Sequence, residues 1–174
     1  GDVYKRQYQV RSTISDAQAE TLTYDLFADP VIEVAKTGSR ILDDFSDAPE
    51  VAIQIGFKPG VTDNTAQAGL DGLTTLFPEQ KEARVATYRT YAFWGVEGTV
   101  SPSELAATLH NPMIERASVA DRNGCLNGHW PQLGFPDVPP NIFEEPTTID
   151  LEVCDDELLE ISERGLLALN LEEM

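Results

Sequence analysis

Few residues in this chain have the types and spacing that covalent or metal chemistry requires. Cys125 lies in Asn123-Gly124-Cys125-Leu126-Asn127-Gly128-His129, with a histidine four residues on. A nucleophilic cysteine needs a depressed pKa and a positioned base, usually at a strand-to-helix elbow. This one sits in a Pro- and Gly-rich stretch with no strong strand before it and no helix pattern after it, so a loop turn is the expectation. Cys125, His129, His110 and Cys154 do not form the closely spaced ligand pairs of a zinc site. Asp121-Arg122-Asn123-Gly124 opens like a calcium loop but lacks Gly at its sixth position and Glu at its twelfth. The acidic pairs Asp43-Asp44, Glu144-Glu145 and Asp155-Asp156 fall in loops or at helix starts, where the helix dipole favours negative charge. No phosphate-cradling glycine motif is present. Tyr88, Tyr91, Phe93 and Trp94 could stack on a base, but without a basic groove they are expected to pack a sheet or an interface. No catalytic, cofactor-binding or metal-binding residue is assigned.

Composition narrows the classes further. The 174 residues carry 12 basic and 30 acidic side chains, a net charge of −18. Such a charge repels phosphate backbones and anionic lipid, which argues against nucleic acid and membrane as partners. Residues 144–174 hold eleven acidic residues and one basic, more than half of that net charge. No segment has the length and apolarity of a membrane span, and two cysteines do not make a disulfide framework, so a cytoplasmic protein is expected. Residues 1–7 show no periodicity and are set aside as a non-native leader.

The elements follow from periodicity and capping. Alternation over Tyr8–Ile14 predicts a strand, and Ser15 with Gln18 makes a capping box for a helix carrying Ala19, Leu22 and Leu26 on one stripe. Pro30 ends that helix, and Val31–Val34 are expected to be extended. The same succession returns about 85 residues later: a strand near 84–94, a capping box from Ser101 to Glu104 with Pro102 at the first helical position, then Leu105 and Leu109, stopped by Pro112. The endings Asp29-Pro30-Val31-Ile32-Glu33 and Asn111-Pro112-Met113-Ile114-Glu115 match position by position, the mark of an internal repeat. Before the second copy's strand lie an apolar alternation at Val51, Ile53, Ile55 and Phe57, a Lys58-Pro59-Gly60 turn, and a helix capped by Thr62 or Asp63 with Ala66, Leu70, Leu73 and Phe77 inward. The divisions are therefore a partial first repeat at 8–38, a full second repeat at 50–120, a connection at 121–147 that is extended or wrapped over a surface and not a core element, and 148–174, where Asp155 caps a short helix stopped by Gly165. Asn170 and Glu173 form one more helix-start signature, so the chain is expected to be truncated at both ends.

Three stretches together resemble phosphoribosylformylglycinamidine synthase: Gly56-Phe57-Lys58-Pro59-Gly60-Val61-Thr62-Asp63-Asn64, the repeated Asx-Pro endings, and Asp156-Glu157-Leu158-Leu159 through Leu167-Ala168-Leu169-Asn170-Leu171-Glu172-Glu173-Met174. The likeness is to forms in which a duplicated PurS-like module precedes the synthetase domain. It implies an α+β fold of small antiparallel sheets with helices packed on one face. It also implies a fragment of a purine-biosynthetic ligase that amidates formylglycinamide ribonucleotide with glutamine-derived ammonia. ATP and Mg²⁺ would serve the full-length enzyme, while no cofactor, and no catalytic residue, is expected in this part. Its role would be assembly with the synthetase and glutaminase domains, its repeats forming a pseudo-dimer and leaving room for a homo-oligomer. The same element order also suits a free-standing ferredoxin-like or ACT-like module that binds a small metabolite.

Overall fold

In the computed structural model, residues 2–38, 47–96, 98, 100–139, 149, 151–165, 169–170 and 173 are described. The chain divides into two units, Gly1–Val138 and Pro139–Met174. In the first, α+β unit, four strands form an antiparallel sheet in the order β1-β3-β2-β4: β1 (Asp2–Arg11), β2 (Val51–Phe57), β3 (Arg84–Phe93) and β4 (Glu115–Asp121). The helices are α1 (Asp16–Thr21), α2 (Asn64–Leu76), α3 (Pro102–Leu109) and α4 (Arg122–Leu126).

The helix starts follow the local chemistry. Ser15 and Gln18, then Ser101 and Glu104, close reciprocal capping boxes, and Asp63 caps α2 by accepting from the Ala66 N–H at 2.9 Å. Gly60 takes φ +83° in the Lys58-Pro59-Gly60 turn, a conformation that excludes most side chains. One helix departs from its expected periodicity, since α1 continues as a π-helical stretch over Leu22–Phe27. A π-helix has more residues per turn than an α-helix, which lets Leu26 and Phe27 both join Leu22 on the core side.

Alternation then sorts the sheet into two faces. On one, Val51, Ile53 and Ile55 pack with Ala106, Leu105 and Leu109 of α3 and with Tyr91 and Phe93. The same face carries Val10 and Val85, which pack with Leu22, Leu26 and Phe27 and with Leu70 and Leu73 of α2. The three longer helices thus share one face, as expected. The short α4 is the exception: its Cys125 packs with Ala52, Ala120 and Trp130 on the opposite face. There Gly56 lies beneath Tyr88, so closely that an added Cβ would sit 2.7 Å from the ring.

The rest of that opposite face is crossed by residues 129–138, part of the connection read from the sequence as extended or wrapped over a surface. The Leu133 N–H donates to Gln54 Oε1 at 2.6 Å, and the Tyr88 hydroxyl donates to the Gly134 carbonyl at 3.1 Å. The Arg11 and Arg84 guanidiniums lie 4.4 and 4.8 Å from the Phe135 ring centroid. Both arginines also donate to Asp137. Beneath this strap, Gln7 accepts from Thr90 at 2.6 Å and from Gln54 at 2.9 Å, so buried polar groups on three strands satisfy one another.

The hydrogen bonds from Arg11 and Arg84 hold the Asp137 carboxyl below its ordinary value of 3.8. A depressed carboxylate contributes stability above its unfolded pKa and loses it as pH falls through the lower folded pKa. Acidification below about pH 4 is therefore expected to loosen the 135–137 end of the strap. A carbon-detected NMR titration of Asp137 with the Phe135 ring shifts reads this directly; a midpoint at or above the ordinary value would contradict it.

Several expectations shift. The first strand runs over Asp2–Arg11 and not Tyr8–Ile14, so most of the segment set aside as a leader lies in the sheet, paired with β3 from Asp2↔Phe93 to Arg11↔Arg84. Val31–Val34 do not form a strand: Pro30–Ile32 turn, and Glu33–Gly38 join no ladder among the described residues. β4, at the matching place in the second copy, pairs with β2, whereas no described strand lies beside Glu33–Lys36. Among the described residues, no helix is long and apolar enough to cross a membrane.

In the second unit, α5 (Asp155–Arg164) has Cys154 at its N-cap position, one residue earlier than expected and without a side-chain capping bond, and ends at Gly165. Ser162 exchanges hydrogen bonds with the backbone of Leu169, and Asn170 and Glu173 make the reciprocal bonds of a capping box. Residues 43–44 and 144–145, two of the acidic pairs, lie outside the described residues.

Candidate functional site

The most organised polar arrangement is centred where β1 and β3 pair. Arg6 and Arg89 are direct cross-strand partners, so both side chains project from the face that carries the three longer helices. Like charges directly opposite each other are unfavourable unless compensated. Each arginine has its own carboxylate. Arg6 donates to both oxygens of Glu33, at 2.9 and 3.1 Å, and Arg89 donates to Glu115.

Each glutamate is in turn fixed by the same loop chemistry. Glu33 accepts from the Asp29 N–H at 2.8 Å, and Glu115 accepts from the Asn111 N–H at 2.8 Å. Asp29 accepts from the Val31 N–H at 2.9 Å and Asn111 from the Met113 N–H at 3.0 Å, the Asx turn that a proline at the next position favours. Backbone bonds from Glu33 to Asp29 and from Glu115 to Asn111 complete the pattern, at 2.8 and 2.7 Å. Strand arginine, capped helix, Asx-Pro turn and glutamate therefore occur twice, and the two arginines meet across the β1–β3 ladder.

Aromatic rings line this centre. Tyr8 stacks on Phe27 at 4.2 Å between centroids, Tyr4 lies 5.3 Å from Tyr91, and the Arg6 guanidinium sits 5.5 Å from the Tyr8 ring. Burial pushes the Tyr8 hydroxyl upward, partly offset by Arg6, so it is a neutral hydrogen-bonding group at physiological pH. A groove of about 500 Å³ opens along the outer edge of β1, and a smaller cleft of about 340 Å³ lies beside Arg89, Thr65 and Glu115.

Because each guanidinium is matched by a carboxylate on a hydrogen-bonded turn, the arrangement suits positioning of chain segments. The two ion pairs hold the Asx-Pro turns at fixed places beside the sheet. Arg89 also reaches across β2, since Ile55 is opposite Arg89 and Phe57 opposite Glu115.

The residues singled out for chemistry in the sequence lie elsewhere. Cys125 is buried in α4, a short helix and not the loop turn expected, because Asp121 caps that helix by accepting from the Gly124 N–H at 2.8 Å. The same bond uses the carboxylate that opens the calcium-like stretch. Burial, reinforced by the Asp121 charge, pushes the Cys125 thiol up and away from a thiolate. His129 is exposed, and its N–H donates to the Gly124 carbonyl. His110 Nδ1 lies 2.6 Å from the Ala106 carbonyl, and Cys154 is exposed in the second unit. No group of three or more metal-ligating side chains is found among the described residues. Tyr88, Tyr91 and Phe93 pack the sheet, as expected.

Arg6 and Arg89 were not singled out by composition or motif. A signal was present: Arg6-Gln7-Tyr8 and Arg89-Thr90-Tyr91 precede their Asx-Pro-x-x-Glu turns at nearly equal spacing. The first of them overlaps residues 1–7, which carry no periodicity of their own. Comparison with protein-family models, curated proteins and solved structures finds no match.

Proposed function

We propose that this chain is a noncatalytic assembly module, the duplicated PurS-like part of a phosphoribosylformylglycinamidine synthase, a cytoplasmic ligase of purine biosynthesis. The observation that carries the reading is the twofold occurrence of the Arg–Glu pair with its Asx-Pro turn, centred on the Arg6–Arg89 cross-strand pair. Two copies of one unit joined through a shared sheet would make the pseudo-dimer that the sequence resemblance implies. The chemistry of that enzyme, with ATP and Mg²⁺, would belong to the synthetase and glutaminase parts, and this module would help dock them so that ammonia passes between them.

Co-expression with a synthetase and glutaminase lacking their own N-terminal module tests the reading. The chain should co-purify with them, show no amidation activity alone, and raise glutamine-dependent amidation relative to amidation with free ammonia. Failure to associate, or association without a change in that ratio, would overturn it. Tight stoichiometric binding of an amino acid or nucleotide by the chain alone, read by calorimetry, would point instead to a small-molecule regulatory module.

A further inference from the structure

We infer that the sheet face opposite the three longer helices is a docking site for an extended Leu-x-Phe-Pro-Asp segment of a partner protein, held in cis by residues 131–137 as a detachable strap. The strap displays what the site recognises. The Leu133 N–H donates to Gln54, and the Gly134 carbonyl accepts from the Tyr88 hydroxyl at 3.1 Å and from Arg116. The Arg11 and Arg84 guanidiniums lie 4.4 and 4.8 Å from the Phe135 ring centroid, and both donate to Asp137. Every receiving group is a side chain on a strand. Gly56, inside β2, gives the Tyr88 ring room to lie on the sheet, and an added Cβ there would also meet Leu133 at 3.4 Å. Arg11 and Arg84 are direct cross-strand partners, like charges whose repulsion the strap's carboxylate offsets. With Arg116 they gather three of the 12 basic residues of an acidic chain on one face, the charge that an acidic segment requires.

The way the strap is held makes it removable. Among the described residues it joins no ladder and makes no backbone-to-backbone bond to the sheet. Its clasp of Arg11, Arg84 and Asp137 is about half exposed, and ion pairs so exposed contribute little. The face it covers is polar: Gln7, Gln54 and Thr90 bond one another without it, and water can serve the Tyr88 hydroxyl and the arginines once it leaves. Opening therefore leaves Leu133 and Phe135, each only partly buried, as the main apolar surface released. Pro136 fixes the backbone between Phe135 and Asp137, so a segment of the same kind docks with little ordering cost. This inference rests on the strap's contacts and does not depend on the synthase reading.

The test uses the full chain carrying Phe135→Ser and Asp137→Ser together, and a synthetic peptide with the sequence of residues 131–138. Amide NMR should show the variant's sheet intact and saturable peptide binding that shifts the Arg84, Tyr88 and Arg116 amides. The unmodified chain should bind the peptide about tenfold or more weakly, because its own strap fills the site most of the time. Phe135→Ala with Asp137→Asn in the peptide should cost about tenfold or more in affinity. No saturable binding to the variant at millimolar peptide, or equal binding by variant and unmodified chain, would overturn the proposal. In the unmodified chain the Leu133 amide should exchange with solvent about tenfold or more faster than the Ile53 amide. Exchange of both at one rate would also overturn it, as would unfolding of the variant, since the strap would then be part of the core.

Discussion

Replacing Ile53 with alanine is expected to lower the stability of the sheet unit by about 3–4 kcal/mol, the usual cost of emptying a fully buried aliphatic site. Ile53 is completely inaccessible and packs with Val51, Ile55 and Ala106, with Tyr91, Phe93 and Leu105 around them. It lies on β2, which pairs on both sides, so the backbone there cannot close the cavity without disturbing two ladders. In a unit of this size the loss corresponds to a fall in Tm of about 10 °C. Urea unfolding with Val119→Ala as the partly exposed control separates the effect from a general loss of apolar surface. A loss below about 1 kcal/mol would show that this core is not packed as described.

Asp63→Ala is expected to cost about 2–3 kcal/mol, because one carboxylate serves two elements. Its Oδ1 caps α2 through the Ala66 N–H, while Oδ2 accepts from the Thr87 N–H at 3.0 Å and the Thr87 hydroxyl at 2.7 Å. The β2–β3 pairing stops at Gly56↔Tyr88, so the Thr87 N–H lies just past the ladder and depends on Asp63. Alanine removes the cap and leaves that half-buried donor without its acceptor. Asp63→Asn, with Oδ1 retained, should recover the cap but turn an amide group toward the Thr87 N–H, giving an intermediate loss. Thermal unfolding of both variants checks the order; equal losses would mean that the Thr87 bonds contribute nothing.

The parts of the fold legible in the sequence share a physical basis, as two cases show. The Ser101–Glu104 capping box and the Lys58-Pro59-Gly60 turn are closed by groups within three residues of each other, so residue type and spacing specify them. The alternation of Val51, Ile53 and Ile55 likewise records which way each side chain points. The Asx-Pro turns were visible as a repeat for the same reason. The candidate site was half visible: its glutamates lie in the matched endings, but its arginines lie on strands 27 and 26 positions away.

Taken alone, the sequence determined the starts of α1, α2 and α3, the tight turn, the apolar face of β2 and the repeated Asx-Pro-x-x-Glu endings, because each is fixed by hydrogen bonds or alternation along a few residues. Only the tertiary structure decided that Asp2–Arg11 is a strand, that Val31–Val34 is not, that residues 129–138 cross the sheet, and that Arg6 and Arg89 meet. A ladder or an ion pair forms between groups brought together by the whole fold. Residues 2–7 have little pattern of their own and are extended because β3 pairs with them, whereas the β-branched run at 31–34 has the propensity but no described neighbour to pair with.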